Sequence, residues 1–490
     1  MTTLSISDAR RLLADKGQGH VLRFWGDLGE TQRAVLLEQV AAVDFALMNR
    51  LIEQWVRNEP SPEQFTTIEP VPLIPKIDLA RADAREAYQA GEDALRAGRV
   101  GLLLVAGGQG TRLGFPGPKG AYRIGPVSKR SLFQFHAEKI HNLERRYACC
   151  LPWYIMVSEA NEDATRAYFR DNGFFGLKPG DVVFMRQRVV PCVEPEGRFM
   201  LEDPGRLATN PSGHGGCIPA VVENGVVENA RDRGIDTLSY FQVDNWAVKV
   251  ADPYFIGHHV LHNADMSSKN HLKADPREAV GVHCLCDGEY RVIEYTELDI
   301  YPQLLATDAA GNIVHSAGNP AIHILSVDFI EHVYEHYDQF PWHRAYKRIP
   351  CVDDQGRTIE PDEPNGYKFE TFIFDALRFI RHDPVAVAID RAGEYTPIKQ
   401  FEGANSVVAA WRRMADYWAD WLTAAGADIP RDADGKVAVK IEISPEFALT
   451  KDEFLTKASG RRWPHGADIA IGPDGQLIEP VAGASDASRS

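Results

Sequence analysis

From residue 100 the chain alternates short apolar runs with helix-patterned stretches: "GLLLV" (101–105), "SLFQFHAEKIHNL" (131–143), "WYIMVS" (153–158), "EDATRAYFRDN" (162–172) and "DVVFM" (181–185). Apolar runs without polar alternation are strands buried on both faces. Alternated with helices, they specify an α/β fold with a mostly parallel sheet and ligand sites at the carboxyl ends of the strands. Further on, "SYFQVDNWAVKV" (239–250) continues the strand pattern, and "VGVHCLCDGEYRVIEYTEL" (280–298) predicts a hairpin turning at Asp287-Gly288. The catalytic body is therefore expected at 100–400.

The flanks read differently. Leu36, Val40, Val43, Leu47 and Leu51 recur at helical spacing and predict one amphipathic helix over 31–56. Five prolines between Pro60 and Pro75 then enforce an extended strap, followed by a helix near 79–98. Residues 1–99 are thus expected as a helical appendage with its strap. After 400 comes the Trp-rich helix "SVVAAWRRMADYWADWL" (406–422), then short strand-like pieces ending in "IAIGPDGQLIEP" (469–480). This predicts a small C-terminal domain over 401–490, with "AGASDASRS" frayed at its end.

With 490 residues, 44% of them hydrophobic, the chain can bury a large core. Its net charge of −16 argues against nucleic acid or an anionic membrane as a partner, since both require a basic face. Any anionic ligand must be met by local cations. Seven cysteines without paired metal-ligand spacing read as thiols of a reduced compartment. The start "MTTLSISDARRLLADKG" has no apolar run of signal or membrane-span length, so a soluble cytoplasmic protein is expected.

The first strand runs into "AGGQGTRLGFPGPKG" (106–120), a loop with six glycines and only two cations, Arg112 and Lys119. It is not a P-loop, because Lys119 lies between Pro118 and Gly120 instead of preceding Ser or Thr. Nor is it the dinucleotide fingerprint, because Gly108, Gly110 and Gly114 are spaced one residue too far. Bare backbone amides can line a nucleotide, while Arg112 and Lys119 supply charge for a triphosphate.

"LVAGGQGTRLG" followed by "PKG" resembles the eukaryotic-type UDP-N-acetylglucosamine pyrophosphorylase family. The likeness continues in order through "FFGL", "NPSGHGG", "VDNWAVKVADP", "VIEYTEL", "GNPAIH", "IPCVD", "PNGYKFETFIFDAL" and "EYTPIK", covering roughly 100–400. It implies a Rossmann-like mixed sheet of the nucleotide-diphospho-sugar transferase type. It further implies that Ala106, Gly107 and Gly108 place backbone against uracil, that Gln187 reads the uracil edge, and that Gly213 passes beneath the base. Lys119 and Lys368 are implied to meet the UTP phosphates and Lys399 the sugar 1-phosphate. Glu294, Tyr295 and Asn319 are implied to hold the sugar, and Asp244 to bind a catalytic Mg²⁺, an ion that takes only one or two protein carboxylates. Asp252, before Pro253, is the better candidate for a helix cap. His214 is implied to be a sugar contact and stands where the family pattern has asparagine; as a histidine in a Gly-rich loop it is a base, a metal ligand or a hydrogen-bonding spacer.

The implied reaction joins UTP and N-acetylglucosamine 1-phosphate, or N-acetylgalactosamine 1-phosphate, to give the UDP-sugar and pyrophosphate. Arg112, Lys119, Lys368 and Lys399 would neutralise charge, with no covalent nucleophile. The alternatives are glucose 1-phosphate or a broad set of sugars, left open by His214 and by "KQFEGANS" after Ile398, and a non-catalytic nucleotide-sugar binder.

Overall fold

The computed structural model describes residues 4–58, 61–464 and 466–478. The chain divides into two compact units, neither of them a continuous segment: residues 1–65, 187–220 and 333–376 form the first, and 66–186, 221–332 and 377–490 the second.

The second unit holds the expected sheet. Its strands are β1 (Ile68–Pro70), β2 (Val100–Val105), β3 (Trp153–Val157), β4 (Val182–Arg186), β5 (Thr237–Gln242), β6 (Met266–Leu272), β7 (Gly281–Cys286), β8 (Glu289–Ile293), β9 (Ala317–Asn319), β10 (His323–Ser326) and β11 (Val385–Ile389). They lie in the order β1-β7-β9-β6-β10-β5-β2-β3-β4, with β8 added to β7 and β11 to β6. The half that carries the glycine loop is parallel, β5-β2-β3-β4. The other half is antiparallel except for β11 on β6, so the sheet is mixed. The parallel half is buried on both faces: Leu102, Leu103, Leu104, Trp153, Tyr154, Ile155 and Met156 have no exposed surface.

The predicted hairpin forms as β7-β8, with Asp287 and Gly288 both at positive φ, 50° and 84°. The Asp287 carboxylate accepts from the N–H groups of Thr66 and Thr67, so the turn also anchors the start of edge strand β1. Part of the proline strap is thereby a strand, and Ile74 extends it by a bridge to Val387. Pro60 lies outside the described residues, as does "AGASDASRS".

In the first unit the helix predicted over 31–56 is broken. Helix α1 (Glu30–Ala42) ends at Val43, and α2 (Phe45–Ile52) starts on Asp44, whose carboxylate accepts from the Leu47 N–H at 2.9 Å. The apolar stripe survives the break: Leu36, Val40 and Leu51 are buried, with Val43 and Leu47 packed against the same cluster.

Flanking the sheet are α3 (Ala82–Arg96), α4 (Leu132–Tyr147), α5 (Glu162–Asp171), α6 (Pro253–Leu261) and the Trp-rich α7 (Val407–Ala424). Asp252 caps α6, its carboxylate accepting from the Tyr254 N–H, as expected. The C-terminal stretch continues with a parallel strand pair, Ile441–Ile443 with Ile469–Ile471, and helix α8 (Lys451–Ala458). Its Trp418, Trp421, Ile443 and Phe454 belong to the same buried cluster as Leu143, Ile155 and Trp246 of the sheet body. Of the seven cysteines, all free, Cys192, Cys217, Cys284 and Cys286 are buried and Cys150 is exposed. Among the described residues no helix is long and apolar enough to cross a membrane.

Candidate active site

The glycine loop leaves the carboxyl end of β2 and is braced by two residues outside the family motifs. Ser158, just after β3, donates from Oγ to the Gly107 carbonyl at 2.8 Å, and Asn161 donates from Nδ2 to the carbonyls of Ala106 (2.8 Å) and Gly108 (3.2 Å). The sequence signal that could have found them is the small polar stretch at the end of the neighbouring strand, "SEAN". Among the described residues the N–H groups of Gly107 and Gly108 donate to nothing, whereas the Ala106 N–H is spent on Met156 in the sheet. With its carbonyls fixed and two amides left over, the loop is a donor surface, which suits an anion or a carbonyl.

Lys119, at the end of the loop, donates from Nζ to Asp244 Oδ2 at 2.7 Å, and both side chains are largely buried. Asp244 follows β5, the neighbour of β2 in the sheet. Burial by itself raises its carboxyl, but the ammonium groups of Lys119 and Lys399 outweigh that and hold it below the ordinary carboxylate range. For Lys399 the balance runs the other way: desolvation lowers it, and Tyr395, Asp244, Tyr295 and Glu294 raise it above its ordinary value. Two cations thus flank one ionised carboxylate at the carboxyl edge of the sheet.

The segment carrying Lys399 is zipped to this edge. Ile398 N–H donates to the Asp244 carbonyl at 3.0 Å. The neighbouring Asn245 accepts from the Thr396 N–H and donates to the Glu394 carbonyl. Phe401 N–H reaches the Arg112 carbonyl at 3.1 Å, so the Arg112 backbone joins the same assembly while its side chain is exposed.

Glu294 and Asn319 meet around Gly281. Gly281 and Asn319 are register partners across β7-β9, and a Cβ at Gly281 would lie 3.2 Å from Glu294 Oε1. Asn319 is 7% exposed; its Oδ1 accepts from the Ala321 N–H, and its Nδ2 is a buried donor with no acceptor. Tyr295, next to Glu294, is 45% exposed. A carboxylate, an unspent amide donor and an open ring suit a hydroxylated ring with one apolar face.

The first unit gathers Gln187, Gly213, His214 and Lys368. Gln187 is 5% exposed, not at the surface as isolated glutamines mostly are, and its Oε1 has no donor. Gly213, at φ 86°, lies so close to Thr371 that a Cβ would sit 2.4 Å from the Thr371 carbonyl oxygen. His214 accepts at Nδ1 from the Ile373 N–H at 3.1 Å and stacks on Phe372, with ring centroids 5.2 Å apart. Phe372 stacks in turn on His343, which bonds Asp375 at 2.8 Å. Lys368 stands on the strand Gly366–Glu370, paired with His343–Lys347.

A cavity of about 720 Å³ elsewhere in the second unit is lined by Lys139, Tyr147, Trp246, Trp418 and Trp421, and by none of the sequence-predicted site residues.

The family model described as UTP-glucose-1-phosphate uridylyltransferase matches residues 45–411. A UDP-N-acetylglucosamine pyrophosphorylase of Saccharomyces cerevisiae is 32% identical over 482 residues, covering 93% of this chain and 98% of that one. A UDP-N-acetylhexosamine pyrophosphorylase-like protein 1 of Homo sapiens is 36% identical over 441 residues, 86% of each chain. The crystal structure of the Trypanosoma brucei uridine diphosphate N-acetylglucosamine pyrophosphorylase in complex with inhibitor superposes with a TM-score of 0.80 at 25% identity, covering 96% of this chain and 99% of that one. With this similarity spanning nearly the whole length, the chain belongs to the UTP-glucose-1-phosphate uridylyltransferase family, within its UDP-N-acetylglucosamine pyrophosphorylase branch.

Proposed function

We propose that the protein transfers a uridylyl group from UTP to N-acetylglucosamine 1-phosphate, giving UDP-N-acetylglucosamine and pyrophosphate. The observation that carries this reading is the Lys119-Asp244-Lys399 cluster at the mouth of the glycine loop. A phosphate oxygen of the sugar phosphate attacks the α-phosphorus in line, one P–O bond forms as the bond to the β-phosphate breaks, and no proton need move. What the residues must supply is alignment and positive charge. The relatives named above include a UDP-N-acetylglucosamine pyrophosphorylase and a UDP-N-acetylhexosamine pyrophosphorylase-like protein, which favours an N-acetylated sugar.

The donor set fits a magnesium ion: a single buried carboxylate, held ionised, with the remaining ligands left to phosphate oxygens and water. Asp244 would hold the ion, which when bound screens the triphosphate charge. Lys119 and Arg112 serve the triphosphate from the glycine loop, Lys399 serves the sugar phosphate, and Glu294, Tyr295 and Asn319 hold the sugar. Gln187, Gly213 and Lys368 are assigned to UTP.

Pyrophosphate release from UTP, measured with N-acetylglucosamine, N-acetylgalactosamine and glucose 1-phosphates, tests the reading. Highest kcat/KM with N-acetylglucosamine 1-phosphate is expected. A preference for glucose 1-phosphate would move the assignment to the other sugar class, and absence of release with every sugar would leave a binding protein.

A further inference from the structure

Helix α4 sends two buried polar side chains, one turn apart, into the loop that carries Asp244. His136 has no exposed surface, and its Nε2 donates to the Val243 carbonyl at 3.1 Å. Lys139 is 6% exposed, and its ammonium donates to the carbonyls of both Trp246 and Val248, the latter at 2.8 Å. Positions i and i+3 share a helix face. The carbonyls of 243, 246 and 248 are thus held from one side, on either side of Asp244 in sequence.

We propose that Lys139 is a positioning residue for Asp244, fixing through the Trp246 and Val248 carbonyls the loop that presents the metal-binding carboxylate. This rests on the reading of Asp244 as the magnesium ligand.

The chemistry of the site favours this over simple core filling. Among the described residues Lys139 has no carboxylate partner; its partners are neutral carbonyls. Its neighbours include Trp246, Leu143 and Trp418, so an apolar side chain would fill the same space without the cost of burying a charge. Burial accordingly pulls the ammonium down to about 7. What an apolar side chain cannot do is satisfy two buried backbone carbonyls from one point.

The helix is also tied to the 444–453 stretch. Glu138 accepts from Ser444 Oγ at 2.6 Å, and Asn142 donates to the carbonyls of Pro445 and Glu446. Arg146 pairs with Glu453 at 2.5 Å. Held to 444–453 in this way, α4 is a fixed frame against which Lys139 sets the loop. Ile398 N–H in turn holds the Asp244 carbonyl.

The test uses the whole chain and the variants Lys139→Met, Lys139→Arg, His136→Leu and Asp244→Asn. The readouts are Mn²⁺ affinity in the presence of UTP, from the electron paramagnetic resonance signal of free Mn²⁺, and KM for each substrate. Residues that hold a metal ligand in place are worth about 10- to 100-fold in affinity. Lys139→Met is therefore expected to lose about that much Mn²⁺ affinity while KM for the sugar 1-phosphate holds, and Lys139→Arg to recover most of the loss. His136→Leu, which frees one carbonyl only, is expected to shift affinity in the same direction by less, and it carries the test if Lys139→Met does not fold. Wild-type Mn²⁺ affinity in folded Lys139→Met, or in His136→Leu in its stead, overturns the proposal. If Asp244→Asn loses affinity in the same experiment, the magnesium reading stands and only the role of Lys139 falls. Full affinity in Asp244→Asn removes the magnesium reading and this proposal with it.

Discussion

A buried amide oxygen without a donor costs about 1 to 3 kcal/mol, and Gln187 carries one. Such an atom is an acceptor held ready for a ligand N–H. Uracil offers that N–H at N3, where cytosine has an acceptor, so UTP is expected over CTP by about ten- to a hundred-fold, the equivalent of one unpaired group. Gln187→Ala should lower activity with UTP and narrow that margin; an unchanged ratio in competition assays on the folded variant would refute the role. At this scale the sequence is most informative where a residue type is rare in its setting. Lys119 and Arg112 are the only cations of the glycine loop, and Asp244 ends an apolar strand; in the structure Lys119 and Asp244 meet. Ser158 and Asn161 leave only the short polar stretch "SEAN" as a trace in the sequence, because their work is done on backbone carbonyls, which any residue supplies. Lys139 reads as an ordinary polar position of an amphipathic helix, and only the tertiary packing shows that it faces inward.

Asp44 separates two helices that share one apolar phase. Periodicity reports which face is buried but is blind to a break that preserves the phase, so α1 and α2 read as one helix. The cap itself is legible, since Asp is a favoured N-cap residue, but it stands inside an unbroken stripe. Asp44→Ala should cost roughly 0.5 to 2 kcal/mol by loss of the cap, with Asp44→Asn nearly neutral. Urea midpoints for the two variants measure the difference, and equal midpoints for Asp44→Ala and the parent would mean the carboxylate contributes nothing to the break. The hairpin shows the reverse case. Its turn residues demand positive φ, which Asp-Gly satisfies cheaply, so the local sequence alone places β7 and β8 correctly. The parallel strands are equally legible from their continuous apolar runs. The rest of the antiparallel half is not, because pairings such as β1-β7 and β10-β5 join segments far apart in the chain.

Three buried histidines make the whole molecule less stable in acid, opposed in part by Glu138, whose carboxyl burial raises to about 7. Burial, with the Lys139 charge adding to it for His136, lowers His136 to about 3, and burial lowers His259 and His283 to about 4, from an ordinary 6.5. Each is neutral when folded and gains a proton when unfolded. Between about pH 6.5 and 4 the unfolded chain binds more protons, so stability falls as the pH drops, by about 1.4 kcal/mol per unit for each histidine. Urea midpoints at pH 7, 6 and 5 should decline with increasing steepness, and His259→Gln should flatten the decline; a level profile would contradict it. The division into two units is beyond a linear reading, since each is assembled from three separated stretches. The same discontinuity bears on how the protein is made. Trp418, Trp421, Ile443 and Phe454 complete the apolar cluster to which Leu143, Ile155 and Trp246 belong. On a ribosome the sheet strands emerge well before α7 and the 441–471 pair exist to cover them. The nascent chain must therefore carry an open apolar surface until α7 and the 441–471 pair have been made, so the core closes only after every strand of the sheet has emerged.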